Sequence, residues 1–153
     1  MKQTILFLAI GGFTATSCNS QNMAQEKVPA VVVNTLQTQF PNATGIDWEK
    51  KGGLYEADFD VAGSEDITVQ IDASGKMLMQ KQEVTGATLP AGIQTAVQAE
   101  YKDFTIDEVE KVEKEGVTYY QLELDGKGLK SIKGKKLVLT AEGQTAANVA
   151  FWD

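Results

Sequence analysis

The chain of 153 residues carries 14 basic and 21 acidic side chains, a formal net charge of −7. Every basic residue is lysine and there is no histidine, so the basic patch and arginine fork that read phosphate or guanine are missing, which argues against nucleic-acid binding. The absence of imidazole also removes the usual general base near neutral pH and the commonest metal ligand.

At the N-terminus, Lys2 precedes an uncharged run from Ile5 to Phe13, the form of an export signal: a positive start, a short apolar stretch, then small residues. The run is roughly half the length of a bilayer span, so residues 1–17 are expected to be a signal peptide and not an anchor helix. Ala15-Thr16-Ser17-Cys18 puts the single cysteine directly after this stretch and resembles a bacterial lipobox. Cys18 is then the lipid attachment site, and two or three acyl chains would hold the protein on a membrane where one chain binds only marginally. The alternative is ordinary cleavage near Ser17, which leaves a free thiol. One cysteine forms no internal disulfide, so the fold must rest on its core. Residues 18–27 show no apolar period and read as a tether between anchor and domain. Residues 28–153 are long enough for one domain with a sizeable core, exported to the cell envelope and facing the periplasm or the surface.

Two segments of that domain begin alike. Val28-Pro29-Ala30 matches Leu89-Pro90-Ala91 and Phe40 matches Tyr101 at an offset of 61; Tyr55 matches Tyr120 at 65; the run Ile71–Gly75 matches Leu139–Gly143 at 68. A drifting offset with the same order of features is the mark of a duplicated unit whose loops have changed length, here residues 28–86 and 89–153. Each unit opens with a helix. Proline is tolerated in the first turn, where its missing N–H has no helical partner, and Val32, Leu36 and Phe40, then Ile93, Val97 and Tyr101, recur at a spacing of four. Pro41 stops the first helix.

Strands succeed each helix. In the run from Leu54 to Val61 the residues Tyr55, Ala57, Phe59 and Val61 alternate with Glu56, Asp58 and Asp60, so the carboxylates are expected on the wet face. Ile67, Val69 and Ile71 alternate likewise, and the turn Asp72–Gly75 leads to a partner strand from Lys76 to Val84 that holds Met77 and Met79. The second unit offers Val117–Leu124 with Tyr120, Leu122 and Leu124 inward, then Lys135–Thr140, a turn at Ala141–Gln144, and a last strand from Thr145 to Asp153 held by Trp152 as a core or edge filler. Short strands are expected around Ile46–Trp48 and Val109–Val112. One wet face is an antiparallel habit, which gives an α+β class: a tandem of helix plus three or four strands, one antiparallel sheet, both helices on one face.

Pro29, Phe40-Pro41-Asn42-Ala43, Trp48, Tyr55, Phe59, Asp72, Gly75, Leu89-Pro90, Tyr101 and Tyr119-Tyr120 together resemble the PepSY-like family of β-lactamase-inhibitor-like proteins, which are common in Bacteroidetes. The resemblance covers residues 28 to 153. In the second unit Lys102-Asp103 stands where Pro41-Asn42 would, and no tryptophan matches Trp48. The resemblance implies a secreted or lipid-anchored tandem repeat, saddle-shaped like the β-lactamase inhibitor protein, with no established enzyme activity, and fold alone carries no function.

Nucleophilic catalysis needs a base within reach of the nucleophile, and neither histidine nor a spare cysteine is present. Glu56, Asp58 and Asp60, matched in the second unit by Glu123 and Asp125, stand about 7 Å apart along a strand, too far for a close acid/base pair. The runs Asp58-Phe59-Asp60 and Asp72–Gly75 lack the oxygen spacing of a calcium loop. No catalytic residue, metal or cofactor is therefore assigned. The acidic face either keeps the protein soluble or steers a basic partner. Trp48 and Tyr119 are candidate aromatic anchors for a partner, although Trp48 would equally pack where helix meets sheet. The expectation is a non-enzymatic envelope binding module for a protein or peptide, with hydrolase inhibition as one form, and Trp48, Glu56, Asp58, Asp60, Tyr119 and Glu123 as contact residues. The alternative is a small-ligand or ion-sensing envelope protein, which a closed polar-lined pocket between helices and sheet would favour.

Overall fold

The structure, a computed structural model, describes residues 21–127 and 134–153; the expected signal peptide (residues 1–17) and lipid attachment site Cys18 lie outside the described residues. Eight strands form one antiparallel sheet in sequence order: β1 (Gln21–Met23), β2 (Thr44–Lys51), β3 (Leu54–Val61), β4 (Ser64–Ile71), β5 (Met77–Glu83), β6 (Phe104–Lys114), β7 (Val117–Gly126) and β8 (Lys135–Leu139). Helix α1 (Ala30–Gln39) lies between β1 and β2, and α2 (Ala91–Glu100) between β5 and β6. Pro29 and Pro90 sit at the two N-caps, the positions where a missing N–H costs least.

The four-residue spacing puts Val32 and Leu36 of α1 into an apolar cluster with Trp48, Tyr55, Ala57, Phe59, Ile67, Val69 and Ile71. Phe40 completes the stripe just beyond the helix, its ring centroid 4.8 Å from that of Phe59. Ile93 and Val97 of α2 join a second cluster with Val109, Leu122, Leu124 and Leu139. In both clusters a turn glycine packs against the first turns of the helix. At Gly75, φ is +87° and a Cβ would stand 2.7 Å from Val31 Cγ2; at Gly143, φ is +83° and a Cβ would stand 2.4 Å from the Gly92 carbonyl oxygen. Thr35 Oγ1 donates to the Gly75 carbonyl at 2.7 Å, which fixes the first of these contacts.

Several expectations need correction. The supposed tether pairs with the sheet: Gln21, Asn22 and Met23 lie opposite Lys50, Glu49 and Trp48, and Met23 packs on the first cluster. Pairing at a sheet edge needs only backbone groups, so it leaves no hydrophobic period to read. Strand β6 runs 11 residues, not four, because a register shift between Ile106 and Glu108 switches the phase of its apolar residues. Val109 therefore enters the second cluster while Val112, fully buried, lies opposite Tyr119.

The segment expected as a last strand is not one. Thr145 makes an isolated bridge to Leu139, the Ala146 N–H bonds to the Val138 carbonyl, and a turn closes from Val149 N–H to Ala146 O. The remaining residues join no ladder.

Candidate functional site

Beyond the apolar clusters, each strand offers a second face, and the ladder register carries it across the sheet. Glu56 lies opposite Gln70, Asp58 opposite Thr68, and Thr68 opposite Lys81. Lys81 lies opposite Val112, Glu110 opposite Gln121, and Glu108 opposite Glu123. This polar face holds the sequence-predicted carboxylates, but Thr68 and Val112 on it are buried, and so are two of its longer polar side chains. Glu56 is 3% exposed and Gln121 is 1% exposed.

The C-terminal segment covers them. Trp152, 7% exposed, donates its indole N–H to Glu56 Oε2 at 3.0 Å. Its backbone N–H donates to Gln121 Oε1 at 2.7 Å, and its carbonyl accepts from Gln121 Nε2 at 3.1 Å and from Lys81 Nζ at 3.3 Å. The Lys81 ammonium also lies 5.4 Å from the centre of the indole ring, within cation–π range. The seat is tied to its own strands: Lys51 Nζ and Gln70 Nε2 donate to Glu56 at 2.6 and 2.9 Å, Gln121 Nε2 donates to Glu110 at 2.9 Å, and Lys81 pairs with Glu110 at 2.8 Å. Every polar atom that the tail buries here thus has a partner, as burial requires.

Beside the seat, Tyr119 and Phe151 pack on Val138, Ala146 and Val149. Lys136 bonds to Asp153, pairs with Glu123 at 2.9 Å and lies 4.5 Å over the Phe151 ring. The Lys136 ammonium is held well above the ordinary lysine range by its hydrogen bonds to Asp153 first and Glu123 second. Asp153 is correspondingly held below the usual carboxylate range by the Lys136 hydrogen bond.

The structure thus places each predicted site residue. Glu56 is a buried anchor for the tail, not a wet carboxylate. Trp48, 3% exposed, is core; an aromatic anchor must be accessible to its partner, and this one is not. Tyr119 is on the polar face as expected, but half-buried beneath the tail. Asp58 and Asp60 are exposed, with Asp47 opposite Asp58 and Glu49 opposite Glu56 on the neighbouring strand, so an acidic strip runs along β2 and β3. Asp58 accepts from Thr68 Oγ1 at 2.6 Å; desolvation pushes its carboxyl up, against the Thr68 hydrogen bond. Glu123 is half-exposed and paired with Lys136. The residues that sequence reasoning missed are Gln121, Lys81 and the role of Trp152. The one signal for Gln121 is its repeat offset of 65 from Glu56.

A hollow of about 470 Å³ opens at the end of the sheet next to this seat, lined by Leu54, Gln70, Leu78, Met79 and Lys114 among others. Among the described residues no cluster of three potential metal ligands occurs, and no helix is long and apolar enough to cross a membrane.

The described residues thus form an α+β fold, one antiparallel sheet whose polar face is partly covered by the C-terminal segment. The chain belongs to the PepSY-like family: the model of that family, described as "Putative beta-lactamase-inhibitor-like, PepSY-like", matches residues 2–79 and again 53–144. Among solved structures, the chain is similar to a BLIP-like protein from Bacteroides fragilis NCTC 9343 (28% identity over 76% of this chain and 82% of that one, TM-score 0.64). It is similar to a DUF2874 family protein from Bacteroides uniformis ATCC 8492 (25% identity, 77% and 86% covered, TM-score 0.70). A structure described as "putative periplasmic proteins" from Bacteroides eggerthii DSM 20697 shares the fold at 23% identity, with 78% and 86% covered and a TM-score of 0.70. No curated protein matches the chain.

Proposed function

We propose that the chain is a non-enzymatic binding module of the cell envelope, exported by residues 1–17, anchored through lipid at Cys18, and presenting its polar face to a protein or peptide. On this reading residues 28–86 and 89–153 are tandem units with both helices on the apolar face, which leaves for contact the part of the other face that the C-terminal segment does not cover. The observation that carries it is the acidic strip of Asp47, Asp58 and Asp60. These exposed carboxylates come together on β2 and β3, where like charges cost stability. Such a strip speeds encounter with a basic partner and weakens as salt rises. An inhibitor of an envelope hydrolase is one form of this function, in keeping with the BLIP-like relative.

The small-ligand alternative draws on surface hollows: one of about 470 Å³ lined by Leu54, Gln70 and Met79, one of about 350 Å³ between α1 and the Gly75 turn, and one of about 230 Å³ beside α2 at Val97 and Phe104. The first has no helix residue in its lining, whereas the other two lie against the helices.

The test is capture from solubilised envelope of the native host at low and high salt, with the wild-type chain and a D47N/D58N/D60N variant. The reading requires a defined envelope protein, retained at low salt by wild type and lost from the variant. Equal capture by both would reject the acidic strip as the contact. A thermal shift with small ligands that is abolished by M79A would favour the sensor instead.

A further inference from the structure

We propose that the seat around Trp152 is a recognition site for an extended peptide carrying a tryptophan followed by an acidic residue, and that the chain's own C-terminus keeps it closed until such a peptide competes. This rests on the reading of the polar face as a binding surface and names the chemistry one part of it accepts.

The occupant is specified by the groups that hold it. Glu56 accepts the indole N–H, Gln121 makes a two-bond grip on a single backbone unit, and Lys136 takes the adjoining C-terminal carboxylate side chain. The Gln121 grip uses only main-chain atoms, so it reads extended backbone of any sequence, as strand addition does. The Glu56 bond and the Lys81 ammonium over the ring select tryptophan. Phe151 under Lys136 adds an aromatic position before it.

The seat is preorganised. Its groups come from β3, β5, β7 and β8, all fixed by ladders. With the tail lifted, Glu56 would keep Lys51 and Gln70, and Gln121 would keep Glu110. A site whose side chains are already oriented loses little entropy on binding. Beyond the Ala146 bond to Val138 the described tail meets the sheet through side chains and joins no ladder, so lifting residues 151–153 breaks no strand pairing. Because it is tethered, it competes at an effective concentration on the order of millimolar. A free peptide should therefore bind the intact chain poorly and a tail-defective chain well.

The experiment uses fluorescence anisotropy with a labelled hexapeptide, Asn-Val-Ala-Phe-Trp-Asp, and a control with alanine for its tryptophan. These are titrated with the wild-type chain, W152A, and W152A carrying E56A. The expected result is saturable binding to W152A, with binding at least about tenfold weaker for wild type, for the control peptide and for the double variant. Equal binding of both peptides to W152A, or no gain of W152A over wild type, would overturn the proposal. Should W152A lose its far-UV circular dichroism, the wild-type chain is titrated with unlabelled hexapeptide to millimolar while exchange of the Trp152 indole N–H is followed. Exchange that accelerates with peptide supports competition at the seat, and exchange unchanged at saturation overturns it. Peptide failure with envelope capture through Asp47, Asp58 and Asp60 intact would remove this inference and leave the proposed function standing.

Discussion

Glu56 and Gln121 hold the same residue from opposite ends: Glu56 takes the indole N–H of Trp152 at 3.0 Å, and Gln121 brackets its backbone at 2.7 and 3.1 Å. Their strands, β3 and β7, stand four places apart in the sheet, roughly 19 Å for ladders spaced at about 4.8 Å. Trp152 and its partners bridge that distance. The two halves of the sheet are thereby coupled through a residue that belongs to neither.

Removing the bridge should be costly. W152A vacates a buried aromatic site and leaves Glu56 and Gln121 short of partners, for an expected loss of about 3–5 kcal/mol. E56A leaves the Trp152 indole without its acceptor and Lys51 without its closest carboxylate, for about 1–3 kcal/mol. E56Q keeps an acceptor and should cost less than E56A. Urea unfolding of the three variants checks the order.

Gln121 grips through a donor and an acceptor together, so charge cannot replace it. Q121E would set a carboxylate against Glu110 and the Trp152 carbonyl, where Nε2 now donates to both. The expected loss is about 2–3 kcal/mol at pH 7. It should shrink as pH falls, since the new carboxyl, raised by burial and by Glu110, takes up its proton. A loss that does not vary with pH would contradict this placement of Gln121.

Much of this fold is legible in the sequence, and the reason is periodicity. The helices at Val32–Leu36 and Ile93–Val97 and the strands around Tyr55–Phe59, Ile67–Ile71 and Leu122–Leu124 announce themselves because one side of each is buried. Alternation assigns Glu56 correctly to the second face. It says nothing of what covers that face, and the cover comes from a residue 96 positions away. Trp48 fails as an anchor for a related reason: a tryptophan in a short strand carries no mark of whether its face meets a helix or water. The tail reads as a strand because small residues such as Ala146 and Ala147 fit any period.

The acid end of the tail makes its docking pH-dependent. Asp153 titrates below the usual carboxylate range in the folded chain through its Lys136 hydrogen bond, so its contribution is present above about pH 4 and is lost as pH falls through the depressed value. Lys136 titrates above the usual lysine range, so its contribution is complete below about pH 10 and is lost as pH rises through the raised value. Acidification through the depressed Asp153 value should loosen residues 151–153 before the sheet unfolds. Amide exchange by residue checks the sequence of events.

Asp58 behaves oppositely. Burial raises its pKa against the Thr68 hydrogen bond, so its charge is disfavoured in the fold and the penalty vanishes as pH falls through the raised value. D58N, which keeps an acceptor for Thr68, should leave the chain equally or more stable at pH 7, and the difference should close on acidification. Thermal melts at pH 7 and pH 4 read it. A destabilised D58N would show the carboxylate to be structural.

Gly75 and Gly143 seat the turns after β4 and β8 against the two helices. G75A and G143A each force alanine into positive φ, at about 1–2 kcal/mol, and drive Cβ into Val31 or Gly92. Each should lose more than about 2 kcal/mol, whereas G86A, where a Cβ meets nothing within 4 Å, should be near neutral. Denaturation midpoints of the three variants decide the matter.

The central claim is that Trp152 closes the polar face through Glu56. Hydrogen exchange at its indole N–H, followed in ¹H–¹⁵N spectra at pH 7, tests that claim most directly, with the Trp48 indole as an internal control. The account predicts a Trp152 indole protected by about 100-fold or more over free tryptophan, with that protection lost in E56A while Trp48 is unchanged. A Trp152 indole exchanging at the free rate in the wild-type chain would contradict it.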